Sequence, residues 1–320
     1  MLQALVSTAS RWLNNLHRSW FETNEPTVEV APAPPARQRY QRLNRVLLAD
    51  EVSRTIFHEF GTHRRTERGD EETGWVLLGV READEVVVLA TLPAGAQRSA
   101  GVAHVRFNAS AQALASRIVR QWDRRLTMVG VVHTHPGSLR HPSDGDFRGD
   151  SHWVGQLRGK EGVFGIGTAD GDEPPPGNAV FARQPRKHMQ CLGPLCLSWY
   201  ALGQGEQAYR AMPVQLTIGP DLALPLHAIW ETIETFGEPL DRLCRQQAQV
   251  SFEVVQGAAG KALAASIKLA EADSKLRLLM EKDRVQYHLF HDGDVIDIDP
   301  KAAPLDRAVY LILAELASRS

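Results

Sequence analysis

The sequence predicts an α+β fold carried by two domains, and three observations predict it. Short, strongly apolar runs alternate with amphipathic helical segments between about residues 39 and 218. A helix stands before and after the most apolar of those runs, Met128 to Val132. Past Gly219 the pattern changes to a helical stretch, a series of closely spaced short strands and a closing helix, so a smaller C-terminal α+β domain follows over residues 219–320. At 320 residues and 35.4 kDa the chain is long enough for each domain to bury its own core.

Composition narrows the function classes. Apolar residues make up 43% and charged residues 23%, which excludes wholesale disorder. The 36 basic and 38 acidic residues nearly cancel, so no broad basic face is available and a nucleic-acid partner is not expected. No apolar run approaches the roughly 20 residues of a spanning helix, so no transmembrane segment is expected. The three cysteines, Cys191, Cys196 and Cys244, form no disulfide framework and suit a reducing compartment, so the expected location is cytoplasmic.

The elements follow in order. Residues 1–22 place Leu2, Leu5, Val6, Trp12, Leu13, Leu16 and Trp20 at helical spacing. This amphipathic helix lacks the long apolar centre of a secretory signal. A membrane-surface role, a partner-docking role and packing against its own protein all fit it. Residues 23–38 hold Pro26, Pro32, Pro34 and Pro35, which favour an extended linker. A strand at Val46 to Leu48 leads to Asp50, read as an N-cap, and a helix carrying Val52, Ile56, Phe57 and Phe60. Trp75 to Val80 and Val86 to Ala90 read as buried strands. Ala103 to Phe107 reads as a strand before a helix from Ala109 to Arg125, with Asn108 as its cap. Then come the strand Met128 to Val132, a helix from Ser143 to Leu157, and strands at Val163 to Ile166, near Val180 and at Leu197 to Leu202. Beyond Gly219, Leu222 to Gln247 reads as helix broken near Gly237 and Pro239. Strands follow at Ser251 to Val255, Ser266 to Leu269, Leu276 to Leu279, Val285 to Phe290 and Val295 to Ile298, with His291-Asp292-Gly293-Asp294 as a hairpin turn. Leu305 to Leu316 is the last helix. The carboxylates Asp292, Asp294, Asp297 and Asp299 lack the loop pattern of a calcium site and read as turn and strand face.

The segment VGVVHTHPGSLRHPSDGDFRGD, Val129 to Asp150, carries the chemistry. His133 and His135, one residue apart at a strand end, point the same way because side chains alternate along a strand. They can grip one ion, and Asp146 at the start of the next helix can supply a third ligand. Three nitrogen and oxygen ligands with one open position are the arrangement of catalytic zinc, whereas structural zinc is closed by four protein ligands. A lone H-x-H is commonplace; the full H-x-H-x7-S-x2-D pattern is much rarer.

With these residues the segment resembles the JAMM metalloproteases, the JAB/MPN domain, whose signature is H-x-H-P-x6-S-x2-D with a glutamate upstream. His133, His135 and Asp146 match the zinc ligands, Ser143 the motif serine and Pro136 the residue after the second histidine. Glu72 matches the upstream glutamate by its spacing to Gly79, with Glu71 an adjacent rival; Trp75 departs from the smaller residue relatives commonly have there. The resemblance covers about Arg39 to Leu216, so residues 39–218 are expected to form a JAMM catalytic domain with a JAB/MPN-type mixed β-sheet flanked by helices.

The resemblance implies one Zn2+ ion and cleavage of an amide bond after the C-terminus of a ubiquitin-like protein, by deconjugation or tail processing. Glu72 is then the base, taking a proton from water and returning it to the leaving amine. Ser143 would donate to the oxyanion, cap its helix, or do both. His141 and Asp144 read as rim residues, while Asp150 or His152 could orient a ligand imidazole. Implied partners are the ubiquitin-like protein, its conjugates, and activating and conjugating enzymes of a bacterial pathway. Two other readings stand beside this one: removal of a terminal residue from a sulfur-carrier protein, and a non-catalytic MPN-type scaffold.

Overall fold

The computed structural model describes residues 40–319, apart from 102–104, 172–181, 248, 259, 270–273 and 301–302. The helix expected over 1–22, the linker over 23–38 and the strand near Val180 lie outside the described residues. Residues Gln41–Ser320 cluster as one compact unit.

The chain begins with β1 (Arg45–Ala49), α1 (Asp50–His63), β2 (Gly74–Arg81) and β3 (Glu85–Pro93), then the short pair β4 (Ser99–Ala100) and β5 (Val105–Arg106). Next come α2 (Ala109–Trp122), β6 (Thr127–Thr134), α3 (Asp144–Trp153) and β7 (Glu161–Thr168). The first sheet is completed by β8 (Arg183–Arg186), β9 (Met189–Leu192), β10 (Leu195–Gly203), β11 (Arg210–Ala211) and β12 (Val214–Thr217). Its strands lie in the order β12-β1-β3-β2-β6-β7-β10-β9-β8, with β11 on β10. β1 runs parallel to both β12 and β3, and β6 runs parallel to β7; the remaining pairs are antiparallel. The architecture is therefore the mixed, helix-flanked sheet that the sequence predicts.

Every residue of β2 and β7 is buried, which is why GWVLLGVR and EGVFGIGT are apolar without alternation. The two faces carry different helices. Trp75 on β2 pairs with Val132 on β6, and its indole N–H donates to Glu59 of α1 at 2.6 Å, so α1 covers that face. Phe164 on β7 pairs with Val131 and packs against Trp153 of α3, so α3 covers the face that carries His133.

Four expectations about helices change, and the strand expected at Ser266 to Leu269 instead spans Lys261–Lys268. Asp50 is the first residue of α1, not its cap; its carboxylate accepts from Gly219 N at 2.9 Å and pairs with Arg54. The helix after β5 ends at Trp122, where Asp123 turns to extended backbone. The helix after Ser143 ends at Trp153 and passes into 3-10 turns over Val154–Gln156. The long helical stretch past Gly219 becomes α4 (Leu224–His227) and α5 (Trp230–Gln246), and α5 runs unbroken through Gly237 and Pro239. Its buried stripe of Ile233, Phe236, Leu240 and Leu243 spans the proline, so packing overrides the lost hydrogen bond.

The second sheet is an antiparallel meander of β13 (Val250–Gln256), β14 (Lys261–Lys268), β15 (Lys275–Glu281), β16 (Arg284–His291) and β17 (Asp294–Ile298), followed by α6 (Leu305–Arg319). At its last hairpin His291 pairs with Asp294, and the turn takes positive φ at Asp292 (48°) and Gly293 (87°). This sheet is tied to its surroundings through Phe252 N, which donates to Gln121 of α2, and Lys282 N, which donates to Thr232 of α5.

Candidate metal centre

His133 lies on β6 and His135 just beyond it. Across the sheet His133 pairs with Gly74 of β2, and His135 N donates to Gly167 O of β7 at 2.8 Å, so backbone on both sides fixes the pair. The intervening Thr134 belongs to the opposite face: its N donates to Thr73 O and its hydroxyl accepts from Thr73 N, both at 2.9 Å. His135 Nδ1 lies 2.7 Å from Leu139 O. A carbonyl can only accept, so Nδ1 carries the proton, and in the neutral ring it is Nε2 that is left with a lone pair. The loop supplying that carbonyl is held at Arg140, whose guanidinium pairs with Asp170 at 3.1 Å and whose carbonyl accepts from Tyr200 OH.

Asp146 comes from the first turn of α3. Ser143 caps that helix by accepting from Asp146 N, while the Asp146 carboxylate reaches back to Ser143 N at 2.6 Å and receives the Ser143 hydroxyl at 2.8 Å. This is a capping box, with aspartate in the place usually held by glutamate. It aims Asp146 at the histidines.

The donor atoms converge. His133 Nε2 and His135 Nε2 stand 3.1 Å apart, His133 Nε2 lies 3.2 Å from Asp146 Oδ1, and His135 Nε2 lies 3.4 Å from Asp146 Oδ2. Ligands held about 2.0–2.1 Å from a tetrahedral zinc stand roughly 3.4 Å from one another, so the triangle has the size of one zinc coordination face. Among the described residues these three form the one group of histidine, cysteine and carboxylate side chains close enough to share an ion. Two imidazoles and one carboxylate are a donor set suited to zinc. Electrostatics agree with a site built for positive charge. Burial raises Asp146, yet the two imidazoles outweigh it and hold the carboxyl far below the usual carboxylate range. Burial lowers His135, and the Asp146 carboxylate and Leu139 carbonyl more than restore it, leaving it raised.

The two adjacent glutamates separate clearly. Glu71 faces outward and pairs with Arg68 at 2.6 Å. Glu72 is only 4% exposed and lies two residues before Gly74, the partner of His133; its negative charge is felt at His135. Its backbone is pinned by N–H donation to Gly101 O and by Arg98 Nε on its carbonyl. Trp75, the departure in the sequence pattern, points to the α1 face and does not wall the centre.

Other polar residues sort by position. His141, Asp144 and His152 are exposed. Asp150 is half-buried on α3, where it accepts from Tyr209 OH at 2.7 Å and from Trp153 Nε1 at 3.1 Å. Burial, with the nearby Asp146 charge, pushes its carboxyl up to about 6 against the lowering effect of these two donors. It steadies α3 against Tyr209 and is not hydrogen-bonded to His133 or His135. Sequence reasoning missed Tyr209, Leu139 O and the Arg140–Asp170 pair, because each joins the site through a long-range contact with no local motif.

Residues 53–182 match the model of prokaryotic homologs of the JAB domain. That stretch contains Glu72, His133, His135, Ser143 and Asp146, and the mixed α+β architecture agrees with the match. No curated protein matches the chain. Among solved structures, the solution structure of protein DSY2949 from Desulfitobacterium hafniense is similar at 14% identity and a TM-score of 0.36, over 55% of this chain and 95% of that one. None of the described helices is long and apolar enough to cross a membrane.

Proposed function

We propose that the chain is a JAMM-type zinc isopeptidase or peptidase that cleaves the amide bond after the C-terminus of a ubiquitin-like protein, acting in the cytoplasm. The observation that carries this reading is the coincidence of the His133–His135–Asp146 triangle with a buried glutamate at the edge of the same site. A scaffold has no use for three converging ligands beside a buried carboxylate.

His133 Nε2, His135 Nε2 and Asp146 would hold the ion. A zinc ion there supplies Lewis acidity toward a carbonyl oxygen and lowers the pKa of water. The chain's own residues supply the rest. The Glu72 carboxylate accepts a proton from the attacking water and delivers it to the departing amine, lysine Nζ in a conjugate or a backbone nitrogen in a tail. The Leu139 carbonyl keeps His135 in the tautomer that offers Nε2. Ser143 keeps Asp146 aimed, and its hydroxyl is already committed to that carboxylate, so oxyanion donation requires it to rotate away.

The test pairs metal analysis with cleavage. Purified protein should bind about one equivalent of zinc. It should cleave a ubiquitin-like protein bearing a C-terminal peptide, or joined to a lysine side chain, and Glu72→Gln should stop cleavage while retaining zinc. The ratio of activities on the two substrates separates tail processing from deconjugation. Zinc-loaded protein inert on both, including a sulfur-carrier protein with an extended tail, would return the chain to the scaffold reading.

A further inference from the structure

We propose that Cys191 and Cys196 form a peroxide-reactive thiol pair that closes to a reversible cross-strand disulfide, an oxidative modification site apart from the metal centre. Cys191 on β9 and Cys196 on β10 are direct antiparallel partners, and their Sγ atoms lie 2.7 Å apart. Both are free thiols. The two strands are joined by the two-residue turn Gly193-Pro194, with Leu192 facing Leu195. In such a hairpin the closing pair exchanges the backbone hydrogen bonds, which makes the next pair the non-hydrogen-bonded kind. Its Cα atoms stand about 4.5 Å apart, inside the range a disulfide spans. Closure therefore needs side-chain rotation and no movement of the strands.

The surroundings favour one thiol as the attacking group. Cys196 is the more deeply buried, at 2% exposure against 7% for Cys191. The hydrogen bond from Cys196, opposed by burial and assisted by the Arg140 and Arg183 guanidiniums, lowers Cys191 below an ordinary thiol. Cys196 is correspondingly raised by the same hydrogen bond and by burial, which suits the proton-bearing partner. The third cysteine is a built-in control. Cys244 sits alone on α5, where burial pushes it up to about 11.

The chemistry balances with a hydroperoxide as oxidant. The Cys191 thiolate attacks one peroxide oxygen; the O–O bond breaks, the sulfur becomes a sulfenic acid, and hydroxide leaves to be protonated to water. The Cys196 thiol then attacks the Cys191 sulfur, an S–S bond forms, and the sulfenic hydroxyl departs as a second water. Each sulfur has lost one electron, and the peroxide has gained two. A dithiol reductant reverses the change by thiol–disulfide exchange.

Both residues lie between Lys187 and Arg210 with no Lys or Arg between, so trypsin releases them on one peptide. The full-length protein is treated with hydrogen peroxide, alkylated, digested and weighed, before and after dithiothreitol. The expected result is a peptide about 2 Da lighter than its reduced form and carrying no alkyl group, restored to double alkylation by dithiothreitol, while Cys244 stays reduced. Cys196→Ser should instead accumulate a sulfenic acid on Cys191 that a dimedone probe traps, and Cys191→Ser should leave Cys196 unoxidised at the same dose. Two alkyl groups on the wild-type peptide after peroxide, or disulfides found only between separate chains, would overturn the proposal.

Discussion

Thr134 grips Thr73 twice, through backbone donation to its carbonyl and through a hydroxyl that accepts from its N–H. One residue of this clamp lies between His133 and His135, and the other follows Glu72 directly. The clamp therefore sets the distance between the two histidines and Glu72. The proposed reaction needs reacting atoms placed within a few tenths of an ångström, so it would depend on that spacing.

Thr134→Val tests this. Valine keeps the shape and removes the acceptor of a buried N–H, so unfolding in urea should show a loss of about 1–3 kcal/mol. Cleavage should fall while zinc affinity holds, because His133 and His135 keep their own strand partners. Thr134→Ser, which retains the oxygen, should recover most of both. Equal behaviour of the two variants would remove the hydroxyl from the account.

Ser143 and Asp146 share one capping box, so the metal centre and the helix start are coupled. Ser143→Ala should cost about 1 kcal/mol of stability. It should also weaken zinc binding by roughly 10–100-fold, since a ligand loses its orienting donor. Asp146→Asn can still accept from Ser143 N, so it should spare the helix more and the metal less. Competition against a chromogenic chelator orders the two. Wild-type affinity in Ser143→Ala would mean that α3 aims Asp146 without the box.

Much of the centre was legible because its signal is local. Strand alternation alone puts His133 and His135 on one face, Asn108 caps α2 through Ala111 N, and His291-Asp292-Gly293-Asp294 makes its turn. What was not legible depends on partners far along the chain. Glu72 sits in an acidic run, and only the fold separates it from Glu71 by burying one and leaving the other half-buried beside Arg68. Asp50 resembles a cap, yet Gly219, 169 residues on, claims its carboxylate. Strand β12 is brief and half-exposed, so its parallel pairing with β1 leaves no pattern.

At Gly237 the backbone of α5 lies close against the first turn of α2. A Cβ there would stand 2.9 Å from Ala111 N and 3.1 Å from Ser110 C, both backbone atoms that cannot swing aside. Helix propensity alone would credit Gly237→Ala with about 1 kcal/mol. Overpacking against backbone costs about 1–3 kcal/mol and should win. The sign of the change in denaturation midpoint decides between them, and a stabilised variant would mean that the helices can separate freely.

His227 joins three elements and makes their contact pH-dependent. From α4 its Nδ1 pairs with Glu59 of α1 at 2.5 Å, and its Nε2 lies 2.7 Å from Thr91 O of β3, with Asp221 nearby. Both ring nitrogens face acceptors, so the protonated ring satisfies both and the neutral ring loses one bond. Burial lowers its pKa, but Glu59 first, then Asp221 and the Thr91 carbonyl, raise it above the ordinary histidine value. A raised pKa in the folded state stabilises the protein fully below the unfolded value, about 6.5, and that stabilisation fades as pH rises through the folded value. His227→Gln should therefore be most destabilising near pH 6, and the gap from wild type should narrow in alkaline buffer. The measurement is a pair of urea titrations at each of several pH values. A gap that stayed constant, or widened as pH rose, would show that His227 is held neutral and that packing alone joins α4 to α1.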